Sequence, residues 1–135
     1  MTPEQYIKGR MAAYAIDEGA MHGSADNIAA IAHVLKNRVD AGWHGGDWMR
    51  VIETAGSQVG TVYEAEPVNL RVPQVRQFLI RADDIFRGDE EDFIAGALYY
   101  CELHDLNREW FRENITSQIA DHPRIATVGL VAFFR

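Results

Sequence analysis

The sequence predicts an α+β fold that is mainly helical, with a small β element near the C-terminus. Apolar residues recur at the spacing of an amphipathic helix in most of the chain up to residue 88, whereas residues 125–134 hold closely spaced apolar residues around one glycine. The chain has 135 residues, the size of one domain, and can bury a core without a disulfide or a metal. Residues 1–135 are therefore expected to form a single domain.

The first predicted helix has strong start and stop signals. Thr2 can cap it, Pro3 suits its first position, and Gln5 can reach back to the backbone of Thr2. Apolar residues then recur at helical spacing until about Glu18, and Gly19 predicts a turn.

Three more helices are predicted, and a β element follows them. The expected helix bounds are 24 or 26 to 42, 47 to about 52, and 73 to 88. Periodicity fades over 55–72, which predicts a long loop of the kind that is usually functional or mobile. The acidic run 89–92 is expected to be a linker turn. A short strand or turn is expected at 97–100, and a strand pair at 125–134, broken at Gly129.

Composition and charge argue against several classes of protein. The net charge of −7 disfavours nucleic-acid binding, because phosphate contacts need clustered Lys and Arg. No apolar run approaches the roughly 20 residues that a membrane-spanning helix needs. The N-terminus lacks the basic start and apolar stretch of a signal peptide, so synthesis in the cytoplasm is expected. The single cysteine, Cys101, cannot form an internal disulfide.

Glu18 is the strongest candidate for acid catalysis. At the C-terminal end of a helix its carboxylate faces the negative end of the helix dipole, which disfavours ionisation. Shielding from water by Tyr14 and Ala15 would act in the same direction. A carboxyl group with a raised pKa can serve as a general acid near neutral pH. The alternative is a solvated glutamate in a turn.

A series of short segments occurs in an order that is found in one known family. The segments are Glu18-Gly19-Ala20, the stretch from Ile28 that ends in Asn37-Arg38-Val39, Val51-Ile52, Gln58, Gly96-Ala97-Leu98-Tyr99-Tyr100, Trp110-Phe111, Val128-Gly129 and Phe133-Phe134. Together, over roughly residues 11–135, they resemble the cell wall hydrolase family typified by the spore cortex-lytic enzymes (SleB-type). The chain departs from that family at 21–24, at Val131, where the family often has a histidine, and over 60–72.

The resemblance implies a lysozyme-like fold and cleavage of the β-1,4 bond between N-acetylmuramic acid and N-acetylglucosamine in peptidoglycan. It implies that Glu18 is the single catalytic acid of a lytic transglycosylase, with a hydrolytic muramidase left open, and that no cofactor is needed. One acid suffices when the 6-hydroxyl of the muramyl sugar attacks in place of a second carboxylate. Nothing in the spacing favours a second carboxylate; the candidates considered are Glu53, Glu64 and Glu66.

The remaining candidate residues would bind the glycan strand. Ser57 and Gln58, in the long loop, could hydrogen-bond a sugar acetamido group. Of Tyr99 and Tyr100, one is expected in the core and the other beside the acid or the sugar. Trp110 could stack on a sugar ring; Trp43 and Trp48 could do the same, although core packing is expected for at least two of the three tryptophans.

Other chemistries fit the sequence less well. The five histidines show no His-Glu-x-x-His pattern, so no metal site is expected, and His33 is expected as a hydrogen-bonded core residue. Cys101 and His104 are too close in sequence for a nucleophile–base pair, and a buried, inert thiol is expected.

A non-catalytic module that binds cell wall or a partner protein, in a phage or secretion apparatus, remains open. For the enzyme, action on the wall is expected after release by a phage or a secretion route. The sequence indicates no particular protein partner.

Overall fold

The computed structural model describes residues 1–20, 24–55, 69–107 and 122–135. These residues form four α-helices and a three-stranded antiparallel sheet, so the predicted mainly helical α+β class is confirmed. The helices are α1 (Pro3–Gly19), α2 (Ala25–Asp40), α3 (Trp48–Ala55) and α4 (Pro73–Arg87). The strands are β1 (Tyr99–Glu102), β2 (Arg124–Val128) and β3 (Val131–Phe134), and short 3-10 turns cover Trp43–Gly46 and Asp105–Asn107.

The helix ends follow the capping signals of the sequence. Thr2 and Gln5 form a reciprocal capping box at the start of α1, as predicted. Ser24 caps α2 by accepting from the backbone of Asn27, and Asp47 accepts from the first turn of α3. At the end of α4, Gly88 takes a left-handed conformation with φ 81°. Local chemistry therefore sets these boundaries.

Helix α2 is the central element of the core. It packs against α1, α3, α4 and the sheet, and most of its residues are buried. Three of its four alanines, at 29, 30 and 32, have no exposed surface. Small side chains at these positions let the neighbouring helices approach closely. The apolar face that the sequence predicted for α2 thus contacts the other three helices.

The sheet has the order β1–β3–β2, with β3 in the centre. Strands β2 and β3 form the predicted pair, and Gly129 lies in the turn between them with φ 54°. The buried amide of Asn27 donates to the carbonyl of Val128 at 2.7 Å, which joins the start of α2 to this hairpin.

The two faces of the sheet contact different groups of residues, because side chains alternate along a strand. Tyr100, Val131 and Phe133 face the helical core. Tyr99 and Cys101 face the other way, toward a smaller cluster with Ala132, Phe134, Leu103 and Leu106. Neighbouring tyrosines in β1 therefore have different surroundings.

Two segments outside the helices and strands border α4, residues 69–72 before it and the acidic run 89–92 after it. Residues 69–72, at the end of the predicted long loop, belong to no helix or strand, and the rest of that loop from residue 56 to 68 lies outside the described residues. The acidic run connects α4 to the segment before β1. It contacts α2 and α4 through Glu90, and α2 again through Asp92. Within the described segments, every helix falls short of the length and apolarity needed to cross a bilayer.

Candidate active site

Glu18 lies in the last turn of α1 and is partly buried. That turn, which the structure describes in full, contains no basic residue. The next residue, Gly19, is buried where α1 meets the start of α2: a Cβ at this position would lie 2.8 Å from the Cα of Ile28. Any larger residue would push against the backbone of α2. The glycine therefore fixes the end of α1, and with it Glu18, against the central helix.

Two tyrosine hydroxyls lie next to the Glu18 carboxylate. The hydroxyl of Tyr100, from β1, donates to Oε2 of Glu18 at 3.2 Å. The same hydroxyl is 2.5 Å from the hydroxyl of Tyr14. Tyr14 is fully buried and precedes Glu18 by one helical turn on α1, so both point from the same helix face. The result is a linked set of three side chains, Tyr14–Tyr100–Glu18.

Both hydroxyls are protonated at neutral pH. Burial, together with the negative charge of Glu18, raises the pKa of Tyr14 to about 12, although the Tyr100 hydrogen bond and Arg38 act in the opposite direction. Burial also raises the pKa of Tyr100 well above its ordinary value, with Tyr14 and Glu18 adding to the effect. Tyr100 therefore acts on Glu18 as a neutral hydrogen-bond donor, and Tyr14 is the neutral hydroxyl partner of Tyr100.

Arg38 lies close to these tyrosines and is itself buried. Its Nε donates to the carbonyl of Leu98 at 2.8 Å, and its guanidinium lies 4.8 Å from the centre of the Trp43 ring. Burial lowers its pKa from the ordinary arginine value, and Tyr100 and Tyr14 partly offset that change. An arginine remains protonated under such conditions, so a positive charge stands behind the two hydroxyls.

Asn37, beside Arg38, holds the segment that leads into β1. Its side-chain amide donates both to Oδ2 of Asp92 and to the carbonyl of Ala97, each at 3.0 Å. Asp92 in turn accepts from the backbone N–H groups of Ile94 at 2.8 Å and Gly96 at 2.7 Å. The Asn37-Arg38 pair thus binds two successive carbonyls just before β1. Because Tyr100 is the second residue of that strand, this contact sets its position beside Glu18.

The structure brings one of the two predicted tyrosines to Glu18. Tyr100 contacts the acid, which agrees with the expectation that one of the pair lies beside it. Tyr99 lies on the opposite face of the sheet, where its ring is 5.6 Å from Trp43 and 4.4 Å from His122. The structure therefore does not bring Tyr99 together with Glu18.

The other predicted glycan-binding residues fall into two groups, those outside the described residues and those that pack in the core. Ser57, Gln58 and Trp110 lie outside the described residues, as do Glu64 and Glu66. Glu53 is exposed on α3. Trp43 and Trp48 pack against the helical core, and Trp48 stacks on Phe86 at 4.8 Å, which confirms the expected packing role for two tryptophans.

His33 and the acidic run form a second polar cluster. Nε2 of His33, which is buried, is 2.6 Å from Oε2 of Glu90, and its ring meets Phe93 edge-on at 5.3 Å. Arg81 donates to both oxygens of Glu90, at 2.6 and 3.2 Å, and to Asp26 at 2.8 Å. The expectation of a hydrogen-bonded core histidine is confirmed. The linker turn is thus an anchored contact between α2 and α4.

Cys101 matches the expected buried thiol. It lies in the smaller cluster on the outer face of the sheet. Burial, followed by the nearby charge of Asp105, raises the pKa of its thiol to about 11. Such a thiol is a weak nucleophile at neutral pH. Within the described segments, no three His, Cys, Asp or Glu side chains are grouped so that they could hold a metal ion.

Sequence reasoning missed the roles of two residues near Glu18. Tyr14 was expected as a shield, and its hydroxyl contact with Tyr100 was not foreseen. The spacing of four residues between Tyr14 and Glu18 is a usable signal, since it places both on one helix face. Apart from its place in the Asn37-Arg38-Val39 segment, nothing in the sequence indicates that Arg38 is buried, because an arginine on a helix is usually solvent-exposed.

We compared the chain with protein-family models, with curated proteins and with solved structures, and found no match in any of the three. The resemblance to the cell wall hydrolases therefore remains a prediction from the sequence.

Proposed function

We propose that this chain is a peptidoglycan glycosidase with a lysozyme-like fold, which cleaves the β-1,4 bond between N-acetylmuramic acid and N-acetylglucosamine as a lytic transglycosylase. Glu18 is its catalytic acid. The observation that carries the proposal is the hydrogen bond from the Tyr100 hydroxyl to Oε2 of Glu18. A general acid needs a carboxyl group that neighbouring side chains hold in one orientation, and Tyr100 contacts Glu18 in this way.

The Tyr100 hydroxyl stabilises the ionised form of Glu18, which must accept a proton in the second step of the proposed reaction. One carboxylate oxygen is occupied by a neutral donor from the protein. The residue is only partly buried, as access of a substrate to its carboxyl group requires. The neighbouring tyrosines keep their protons and do not compete with Glu18 for the proton of the substrate.

The proposed reaction needs no second acidic residue. The Glu18 carboxyl gives its proton to the glycosidic oxygen, the bond from C1 of N-acetylmuramic acid breaks, and N-acetylglucosamine leaves with a free 4-hydroxyl. The 6-hydroxyl oxygen of the muramyl sugar bonds to C1, and its proton passes to the Glu18 carboxylate, which restores the acid. The product end is a 1,6-anhydro sugar.

The contacts between sequence motifs give independent support. The Asn-Arg-Val segment of α2 and the Gly-Ala-Leu-Tyr-Tyr segment of β1 carry the most specific part of the resemblance. They contact each other through Asn37 and Arg38, and the second segment delivers Tyr100 to Glu18. The α2 segment thus contacts the segment before β1, and β1 contacts the Glu18 carboxyl group through Tyr100. The net charge of −7 gives no attraction to an anionic wall, so we propose that a phage or secretion route brings the enzyme to its substrate.

The test compares two glutamates at opposite ends of the same helix. Purified peptidoglycan is incubated with wild-type protein, Glu18→Gln and Glu4→Gln, and the release of soluble fragments is followed by loss of turbidity. We expect Glu18→Gln to lose at least about 100-fold in rate, because the acid is removed while its shape is kept. Glu4, exposed in the first turn of α1, serves as the matched control and should leave the rate unchanged.

A different outcome would favour a different function. If the wild-type protein sediments with peptidoglycan but releases no fragments, the non-catalytic wall-binding module replaces the enzyme. Equal rates for Glu18→Gln and the wild type would also overturn the proposal. Thermal unfolding of each variant shows that the comparison is made between folded proteins.

A further inference from the structure

We propose that Tyr14 is a positioning residue that acts on Glu18 through Tyr100, in a chain of hydrogen bonds whose direction reverses when the Glu18 oxygen that faces Tyr100 gains or loses a proton. The inference rests on the proposed role of Glu18. Its test uses a readout that needs no substrate, so the two proposals can fail separately.

The geometry fixes the direction of each hydrogen bond. A tyrosine hydroxyl has one proton to donate. When Glu18 is ionised, the proton of Tyr100 must point to the carboxylate, 3.2 Å away. The contact of 2.5 Å between the two hydroxyls then has to be donated by Tyr14. The order of donation is therefore Tyr14 to Tyr100 to Glu18.

Protonation of the carboxyl oxygen that faces Tyr100 reverses this order. The carboxyl group then donates to the Tyr100 oxygen, and Tyr100 turns its own proton toward Tyr14. In both states every contact in the chain has one donor and one acceptor.

Burial makes Tyr14 necessary for this exchange. Its side chain has no exposed surface, so water is a poor substitute for its hydroxyl. Among the described residues, Glu18 on α1 and Arg38 on α2 are charged groups that act on both hydroxyls, with opposite signs. The raised pKa values keep both tyrosines protonated at neutral pH. Without the Tyr14 hydroxyl, the Tyr100 hydroxyl loses the partner that orients it.

The test follows the ionisation of Glu18 by carbon-13 NMR of the labelled carboxyl group, with Glu18→Gln used to assign its resonance. We expect Tyr100→Phe to raise the midpoint of the titration by about one pH unit, because a donor to the charged form is lost. Tyr14→Phe should raise it by less. In the Tyr100→Phe background, Tyr14→Phe should add nothing, because its route to Glu18 has been removed.

The double variant, Tyr14→Phe with Tyr100→Phe, tests whether Tyr14 acts on Glu18 through Tyr100. Equal shifts from Tyr14→Phe in both backgrounds, or no shift in either, would overturn the proposal. Tyr6→Phe is the matched control, since Tyr6 is an exposed tyrosine on the same helix and should not change the titration. Failure of the wild-type protein to cleave peptidoglycan would overturn the proposed function and leave this titration readable.

A second measurement needs no substitution at Tyr14. In the wild-type protein, the ring-carbon resonances next to both hydroxyls should shift with the same midpoint as the Glu18 carboxyl. A Tyr14 resonance that does not change through the titration of Glu18 would show that the chain does not extend beyond Tyr100.

Discussion

Asn37 donates a hydrogen bond from its side-chain amide to the carbonyl of Ala97, at 3.0 Å, across 60 positions of sequence. The contact joins the end of the central helix to the start of β1. Arg38 repeats it one residue later, with Leu98 at 2.8 Å. Two neighbouring side chains on α2 therefore align the backbone that positions Tyr100.

Removal of the Asn37 amide should destabilise the protein more than removal of a neighbouring charge. Asn37→Ala removes the side-chain donor of the Ala97 carbonyl and one of the donors to Asp92, and we expect a loss of about 1–3 kcal/mol in the free energy of unfolding. Lys36→Ala, one residue away, removes a surface ion pair with Asp40 and should cost less than about 1 kcal/mol. Urea denaturation measures both losses. Equal losses would show that the Asn37 hydrogen bonds to Ala97 and Asp92 contribute no more to stability than a surface ion pair.

Gly19 and Gly9 offer a matched pair of glycines on α1. Gly19→Ala places a Cβ against the backbone of Ile28, and we expect a loss of about 1–3 kcal/mol in stability. A Cβ at Gly9 meets nothing within 4 Å, and this residue lies within the exposed part of the helix. Gly9→Ala should therefore stabilise the protein by about 0.5–1 kcal/mol. Thermal or urea unfolding distinguishes the two, and a neutral Gly19→Ala would contradict the close helix contact.

Glu90 should make stability depend on pH in the acidic range. Burial raises its pKa, but hydrogen bonds and charge from Arg81 and His33 outweigh burial, so the net pKa is lowered. A carboxyl with a lowered pKa in the folded state contributes stability that is complete above the pKa of an unfolded glutamate, about 4.3. This contribution is lost as pH falls through the lower, folded value.

The measurement is the difference in unfolding free energy between wild-type protein and Glu90→Gln, at a series of pH values from 7 down to 3. We expect this difference to shrink below the ordinary glutamate pKa. Glu91→Gln, at the exposed neighbouring residue, should give a difference near zero throughout. A difference for Glu90→Gln that is constant or grows on acidification would contradict the assignment.

Cys101 should react slowly with thiol reagents while the protein is folded. Its thiol is buried, with a pKa of about 11, and the thiolate is the reactive form. At pH 8 we expect labelling to be about 100-fold slower, or more, than in urea-unfolded protein. The chain has one cysteine, so the signal has a single source, and Cys101→Ser gives the blank. Rapid labelling of the folded protein would show that the outer face of the sheet is open.

The helices could be predicted because their signals are local. Thr2, Pro3 and Ser24 mark helix starts by their own chemistry, and Gly88 marks an end by its backbone freedom. The hairpin around Gly129 was predicted on the same basis. The register of β1 against β3 was not predictable, because it depends on contacts between residues that are far apart in sequence.

The polar contacts of the site depend on that register. The sequence places Glu18 at a helix end and Tyr100 in an apolar segment, but their meeting requires β1 to be aligned by Asn37 and Arg38. Burial of Arg38 has the same origin, since the Leu98 carbonyl and the Trp43 ring become its partners only in the folded chain. From the sequence, Glu90 is likewise expected to be a solvated turn residue. Its contacts with Arg81 and His33 form only in the folded chain.

The most direct test of the central claim is mass spectrometry of the glycan ends in peptidoglycan digested by wild-type protein and by Glu18→Gln. We expect new 1,6-anhydro-muramyl ends with the wild type and none with Glu18→Gln. Reducing muramyl ends in their place would replace transglycosylation with hydrolysis. No new ends of either kind after long digestion, or the same ends from Glu18→Gln, would contradict the claim that the Glu18 carboxyl group cleaves a glycan strand.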